Sequence, residues 1–179
     1  MELLVVIAII AILLGFIFPV FQGVQDRAKK VQAKNDLTQI VTAVNAYYTE
    51  YGKYPIVTDD TPPANTSDVF YTLRAIANGA NSGSVTNTRQ IVFLNIPDAR
   101  DATNPKNGVG SDGQDYDPWG KPYKMAIDGN YDNQIANPYT PDTGAGPNPL
   151  RQGVIAWSFG NDKNQGTDFK PSDDVISWQ

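Results

Sequence analysis

Asp162, Asp168, Asp173 and Asp174 lie within thirteen residues near the end of this 179-residue chain, with Ser158, Asn161 and Ser172 beside them. Oxygen-rich side chains of this kind suit a hard cation. Calcium takes about six to eight oxygens, carbonyls included, from a flexible loop. The segment 160–174 reads as a loop between two strands, 153–159 and 175–178, so both its ends are pinned and its carboxylates can converge. It lacks the EF-hand spacing. A solvated acidic loop is the other reading of the same residue types.

Two further acidic stretches compete for attention. "GSDGQDYD" (110–117) carries Asp112, Asp115 and Asp117 and could hold a second ion. Turn chemistry accounts for Asp and Gly there equally well. "DGNYDN" (128–133) reads as a hairpin turn, with or without an ion.

Other chemistries are excluded by composition. There is no cysteine and no histidine. Disulfides, thiolate nucleophiles, imidazole or thiolate zinc sites and any histidine-dependent triad are therefore absent. No G-x-S-x-G, P-loop or G-x-G-x-x-G arrangement occurs. Nothing sets two carboxylates on facing strands, as a glycosidase needs. The expectation is a protein that is not an enzyme. The formal net charge of −5 argues against nucleic acid as the main partner. A secreted domain without disulfides needs another staple, and an oxygen-ligated cation is the one left.

The elements that position these loops begin with an oily rod. Leu3 to Phe21 carries no charge, and Glu2 stands directly before it. As a helix this run spans roughly 28 Å, close to the hydrocarbon core of a bilayer. The front is acidic and no A-x-A-like site follows, so a cleaved signal peptide fits poorly. A transmembrane anchor fits best. Arg27, Lys29, Lys30 and Lys34 follow it, and taken alone they would place the C-terminal side in the cytoplasm.

From Val24 the pattern turns amphipathic. Val24, Ala28, Val31, Leu37, Ile40, Val41, Val44, Tyr47, Tyr48 and Tyr51 recur mostly at spacings of three and four. Gly52 supplies a stop, reinforced by Tyr54–Pro55. One helix of about 50 residues results, roughly 75 Å long. Pro19 cannot donate to the Gly15 carbonyl, so Gly15–Pro19 is its weak step. Tyr47, Tyr48, Tyr51 and Tyr54 form an aromatic cluster at its end, read as core packing or as an adhesive surface.

Beyond it, 67–79 reads as a short helix with Ser67 as N-cap and Gly79 past its end. Residues 81–88 read as linker, and 89–96 as a strand or an extended packing segment. Turns fill 97–120. Strands are expected at 122–127, 134–139, 153–159 and 175–178. The fold class is α+β: a long N-terminal helix on a small antiparallel sheet with long loops. Three parts follow: 1–23 as membrane or filament-core helix, 24–52 as its amphipathic continuation, and 53–179 as a β-rich domain.

"ELLVVIAIIAIL", followed by Gly15 and Pro19, resembles the N-terminal segment of type IV pilins and of the pseudopilins of type II secretion. "NDLTQIVTAVNAYYTEYGKYP" resembles the second half of the long helix of the major pseudopilin. "DPWGKPY" (117–123) is similar to a signature of that subfamily, and "WSFGNDKNQG…SDDVISW" to its C-terminal calcium loop. The stretches 56–112 and 128–152 are longer than the family norm.

The resemblance implies an inner-membrane subunit with its domain in the periplasm, assembled by a secretion or pilus machinery into a helical homopolymer in the periplasm or at the cell surface. It implies a basic leader removed by a peptidase, a methylated mature N-terminus, and a sequence that begins three residues inside the mature chain. That leader reverses the orientation suggested by the lysines. Glu2 takes the family's acidic assembly position, paired with a neighbouring subunit's amine, and Pro19 its helix-breaking proline. Asp162, Asp173 and Asp174 become calcium ligands by position, with Ser158 and nearby carbonyls beside them. The alternative of another class is a membrane-anchored extracytoplasmic binding module with 56–112 as its contact surface.

Overall fold

The computed structural model describes residues 2–179, and the side chains at 2, 3, 8 and 13–22 fall outside that description. The expectations resting on Glu2, Gly15 and Pro19 therefore lie outside the described residues. Helix α1 runs Glu2–Tyr51, 50 residues. Gly52 ends it at φ +67°, a left-handed conformation suited to glycine, and its N–H donates to the Tyr48 carbonyl at 2.8 Å. The expected stop is where the sequence places it.

Two halves of α1 differ in what covers them. Ala33, Leu37, Ile40, Ala43, Val44 and Tyr47 are buried, one face of the helix pressed on the domain. Leu4, Val5, Val6, Ile7, Ile9, Ile10 and Ile12 are exposed. Val24 and Val31, expected in the buried stripe, are exposed as well. Val31 lies six residues before Leu37, about 120° round the helix, so it cannot share that face. Among the described residues no helix is long and apolar enough to cross a membrane. Much of the expected span, 1–23, lies outside the described side chains.

The sheet behind α1 is antiparallel. Strand β3 (Lys124–Ile127) pairs with β4 (Val154–Ser158), and β4 with β5 (Val175–Ile176). Met125 faces Ala156 across the first ladder and Trp157 faces Ile176 across the second. Every residue of β4 is buried. Successive side chains point to opposite faces. Val154 and Ala156 pack in the core under α1, while Ile155 and Trp157 pack with Ile135, Tyr139, Ala145 and Leu150. An unbroken apolar run is stable only with both faces covered. The long stretch 128–152 provides that second cover.

Short elements differ from expectation. Strand 134–139 reduces to a single bridge, Ile135 to Leu150. Helix α2 is shorter, Ser67–Leu73, and its cap is Thr66 rather than Ser67. The Asn65 carboxamide accepts from Ser67 N–H and so takes over the capping role. Within the turn-rich 97–120 stretch, β1 (Gly108–Val109) pairs with β2 (Asp115–Tyr116). Residues 89–96 form no strand, and Phe93 and Leu94 donate to the Leu73 carbonyl. The expected linker 81–88 is packed, with Asn81 and Asn87 fully buried.

Where α1 meets the hairpin, the Tyr123 hydroxyl donates to Asp36 at 2.9 Å, and Asp115 is buried nearby. Burial first, then the Asp36 carboxylate, push Asp115 up to about 7. Burial also raises Asp36, against the Tyr123 hydrogen bond. A carboxyl with a raised folded pKa binds its proton more tightly in the native state. Its contribution to stability is therefore complete below the unfolded pKa near 4 and is lost as pH rises through about 7. Unfolding free energy should fall by about 2 kcal/mol between pH 5 and 7 from this group. Denaturant titrations of the wild type and Asp115→Asn should show that slope and its loss; parallel pH profiles would refute it.

Candidate metal centre

The loop after β4 is held at its entrance by Asp117. This buried carboxylate accepts from Trp119 N–H and Lys121 N–H, both at 2.9 Å, and from the Ser158 hydroxyl at 2.6 Å. Pro118 and Gly120 allow the tight turn between them, with Gly120 at φ +90°. The "DPWGK" turn is thus tied to the last residue of β4. Burial raises the Asp117 pKa, opposed first by the Ser158 hydrogen bond.

Past Ser158 the chain turns at Gly160, φ +66°. A Cβ there would meet the Asp173 carbonyl oxygen at 2.5 Å, so no side chain fits. This close approach brings the two ends of the loop together. Asp173 accepts from Asn161 and Asp162 N–H groups. Asp162 accepts from Asn164 N–H at 2.8 Å. Asp174, directly before β5, accepts from Gly166 N–H at 2.9 Å.

Asp162, Asp173 and Asp174 each offer a carboxylate oxygen, all within 4.8 Å of one another. Their burial is graded: Asp162 is exposed, Asp173 intermediate and Asp174 6% exposed. Asp174 Oδ1 is buried without a hydrogen bond of standard geometry, and the Tyr139 hydroxyl, buried and equally unpartnered, is the protein group beside it. A buried unpartnered carboxylate oxygen is costly, and a cation among the three carboxylates would satisfy it. Burial raises the Asp174 pKa, with the Gly166 N–H and then the Tyr139 hydroxyl opposing and the Asp173 and Asp162 charges adding. Burial and then the Asp174 charge also raise the Tyr139 phenol. The donor set, oxygen only and from a loop, suits calcium over softer metals.

The structure thus brings together three of the four residues expected to bind metal. Ser158 stands apart, since its hydroxyl is given to Asp117 and its oxygen accepts from Gly160 N–H at 3.1 Å. Asp168 does not join the group. Asp112, Asp115 and Asp117 form no such group among the described residues. Asp112 accepts from Gln114 and Tyr116 instead.

Sequence reasoning missed a second acidic group, Asp60, Asp128 and Asp132. The 128–133 turn was visible, but Asp60 reaches it from a distant loop by accepting from Gly129 and Asn130 N–H. Local spacing holds no signal for that contact. No family model matches this chain, and no curated protein or solved structure matches it either.

Proposed function

We propose that the chain is a structural, non-enzymatic subunit that polymerises through α1 into a pilin-like filament, of the kind formed by the major pseudopilin of type II secretion or by a type IV pilus. The observation that carries this reading is the division of α1. One continuous helix buries a face of its second half in the domain and leaves Leu4, Val5, Val6, Ile7, Ile9, Ile10 and Ile12 uncovered. Exposed aliphatic surface on that scale needs lipid or protein around it. Membrane before assembly and neighbouring α1 helices afterwards meet that need in turn. The globular part then stands outside the cytoplasm.

Calcium is proposed at Asp162, Asp173 and Asp174, where it would close the loop between β4 and β5 and replace the disulfide that a cysteine-free chain cannot form. Glu2 is proposed as a register device. An unpaired carboxylate among packed apolar helices is strongly penalised, so it favours the one axial stagger that brings it a partner amine. Expression of the full chain with its assembly machinery should give filaments visible by electron microscopy, and Glu2→Ala should reduce them at least tenfold while leaving the membrane-bound monomer. Undiminished filaments in Glu2→Ala would sink the register role.

A further inference from the structure

At the end of α1 three tyrosines cluster on the surface, with the Tyr48 and Tyr131 rings 6.4 Å apart at 36°. The Tyr48 and Tyr54 rings lie 4.6 Å apart at 28°, and the Tyr54 and Tyr131 rings 5.6 Å apart at 20°. Tyr48 and Tyr131 are 39% and 51% exposed. They come from two distant segments. Tyr131 is held at φ +63°, a conformation rare for a bulky residue, and its hydroxyl accepts from Tyr54 N–H at 3.1 Å. The turn therefore holds the Tyr131 ring against Tyr54 while leaving half of it exposed.

The same turn carries Asp128 and Asp132 and receives Asp60, with carboxylate oxygens of the three within 4.8 Å of one another. Burial first, and then the Asp128 charge, raise the Tyr54 phenol, and Asp132 adjoins Tyr131 in the chain. Asp132 is exposed, next to Tyr131. Among the described residues the two ion pairs are Arg74–Asp98 and Arg89–Glu50. Neither pair involves Asp60, Asp128 or Asp132.

We infer that the Tyr48–Tyr54–Tyr131 cluster and Asp132 form a docking surface for a basic polypeptide segment of another protein, capturing an arginine or lysine side chain. Aromatic faces carry negative quadrupole density and attract a cation laid over them, arginine best of all because its flat guanidinium also stacks. A carboxylate at the rim of the cluster supplies the ion pair. These carboxylates accept local N–H groups but form no ion pair among the described residues, so three negative charges beside the aromatic cluster favour a cationic partner over an apolar or anionic one. Tyr48 lies 36 residues along α1 from Ile12, roughly 54 Å from the exposed apolar end of the helix.

The test is a titration of the full chain, held in zwitterionic detergent micelles, with the peptide acetyl-Gly-Arg-Gly-Arg-Gly-amide. Its citrulline counterpart, neutral but nearly the same shape, is the control. The readout is the aromatic-ring NMR resonances of Tyr48 and Tyr131. Saturable shifts are expected with the arginine peptide and none with the citrulline one. Asp132→Asn and Tyr48→Leu should each weaken binding about fivefold, the size of an exposed cation–π or ion-pair contact. Tyr48→Leu sits on α1, and unchanged backbone amide resonances for residues 128–133 in that variant separate loss of the contact from a folding defect. Equal shifts with both peptides, no shifts, or unchanged affinity in both variants would overturn the inference. Shifts that grow with protein concentration alone would mark a second copy's Arg27–Lys30 as the occupant and overturn the assignment to another protein.

Discussion

With calcium at the proposed Asp162–Asp173–Asp174 site, chelation should lower the stability of the intact chain by about 4 kcal/mol, relative to a solution holding calcium at roughly a thousand times its dissociation constant. The argument starts from the pinned loop. Gly160 passes against the Asp173 backbone, and Asp173 and Asp174 lead directly into β5. Without a cation, three carboxylates crowd within 4.8 Å, one of them buried with a free oxygen. Repulsion and desolvation then act together against the closed loop. A divalent ion reverses both. Because β5 is only two residues long, the loop's closure bears on whether the third strand stays on the sheet. Chelation should appear in a thermal melt as a drop on the order of 10 °C. Asp174→Asn should start lower in calcium and respond little to chelator. A wild-type melt indifferent to chelator would remove the calcium staple.

Asn87→Ala should cost about 3–4 kcal/mol, far above a typical surface change. Asn87 is fully buried and uses both ends of its carboxamide. Its Nδ2 donates to the Thr72 carbonyl at 2.8 Å and to the Ile91 carbonyl at 2.7 Å. Its Oδ1 accepts from the Tyr51 hydroxyl at 2.7 Å and from Ile91 N–H at 3.1 Å. One side chain thereby joins α1, α2 and the segment after 89. Asn81 does the same one step earlier, accepting from Thr86 and Asn87 N–H and donating to the Ile76 carbonyl. Alanine at 87 strands several buried groups, each costing roughly 1–3 kcal/mol when left without a partner. Aspartate cannot rescue the site, because it has no donor for the two carbonyls. Urea unfolding reads the loss directly, and a change below about 1 kcal/mol would show that the network is dispensable.

These two sites show how legibility divided. The long helix was readable because its features are local: period, apolar run, and a glycine at the stop. The framed acidic loop was readable locally, but it offered Asp168 equally; the narrower set Asp162, Asp173 and Asp174 came from the resemblance, and the fold groups those three. Position 158 was misleading for a physical reason. A serine at a strand end beside acidic residues looks like a ligand, but its hydroxyl was claimed by Asp117, forty-one residues away. "NSGSVTNT" looked like linker because Asn, Ser, Gly and Thr favour solvent. The same polar groups can satisfy one another in a buried plug, and composition does not distinguish the two. Asp60 and the 128–133 turn meet only through the fold. The second apolar face of β4 likewise needed the loop 128–152 to be placed before its cover was known.

The claim on which the rest depends is that α1 forms the core of a polymer. Electron cryomicroscopy of filaments grown from the full chain is its most direct test. The account predicts helical filaments in which residues 4–12 of neighbouring α1 helices pack against one another at the centre, with the β-sheet domain and its acidic loop outside. Filaments built through the globular domain, with Leu4–Ile12 on the surface, would contradict it, as would a chain that stays monomeric in the presence of its assembly machinery.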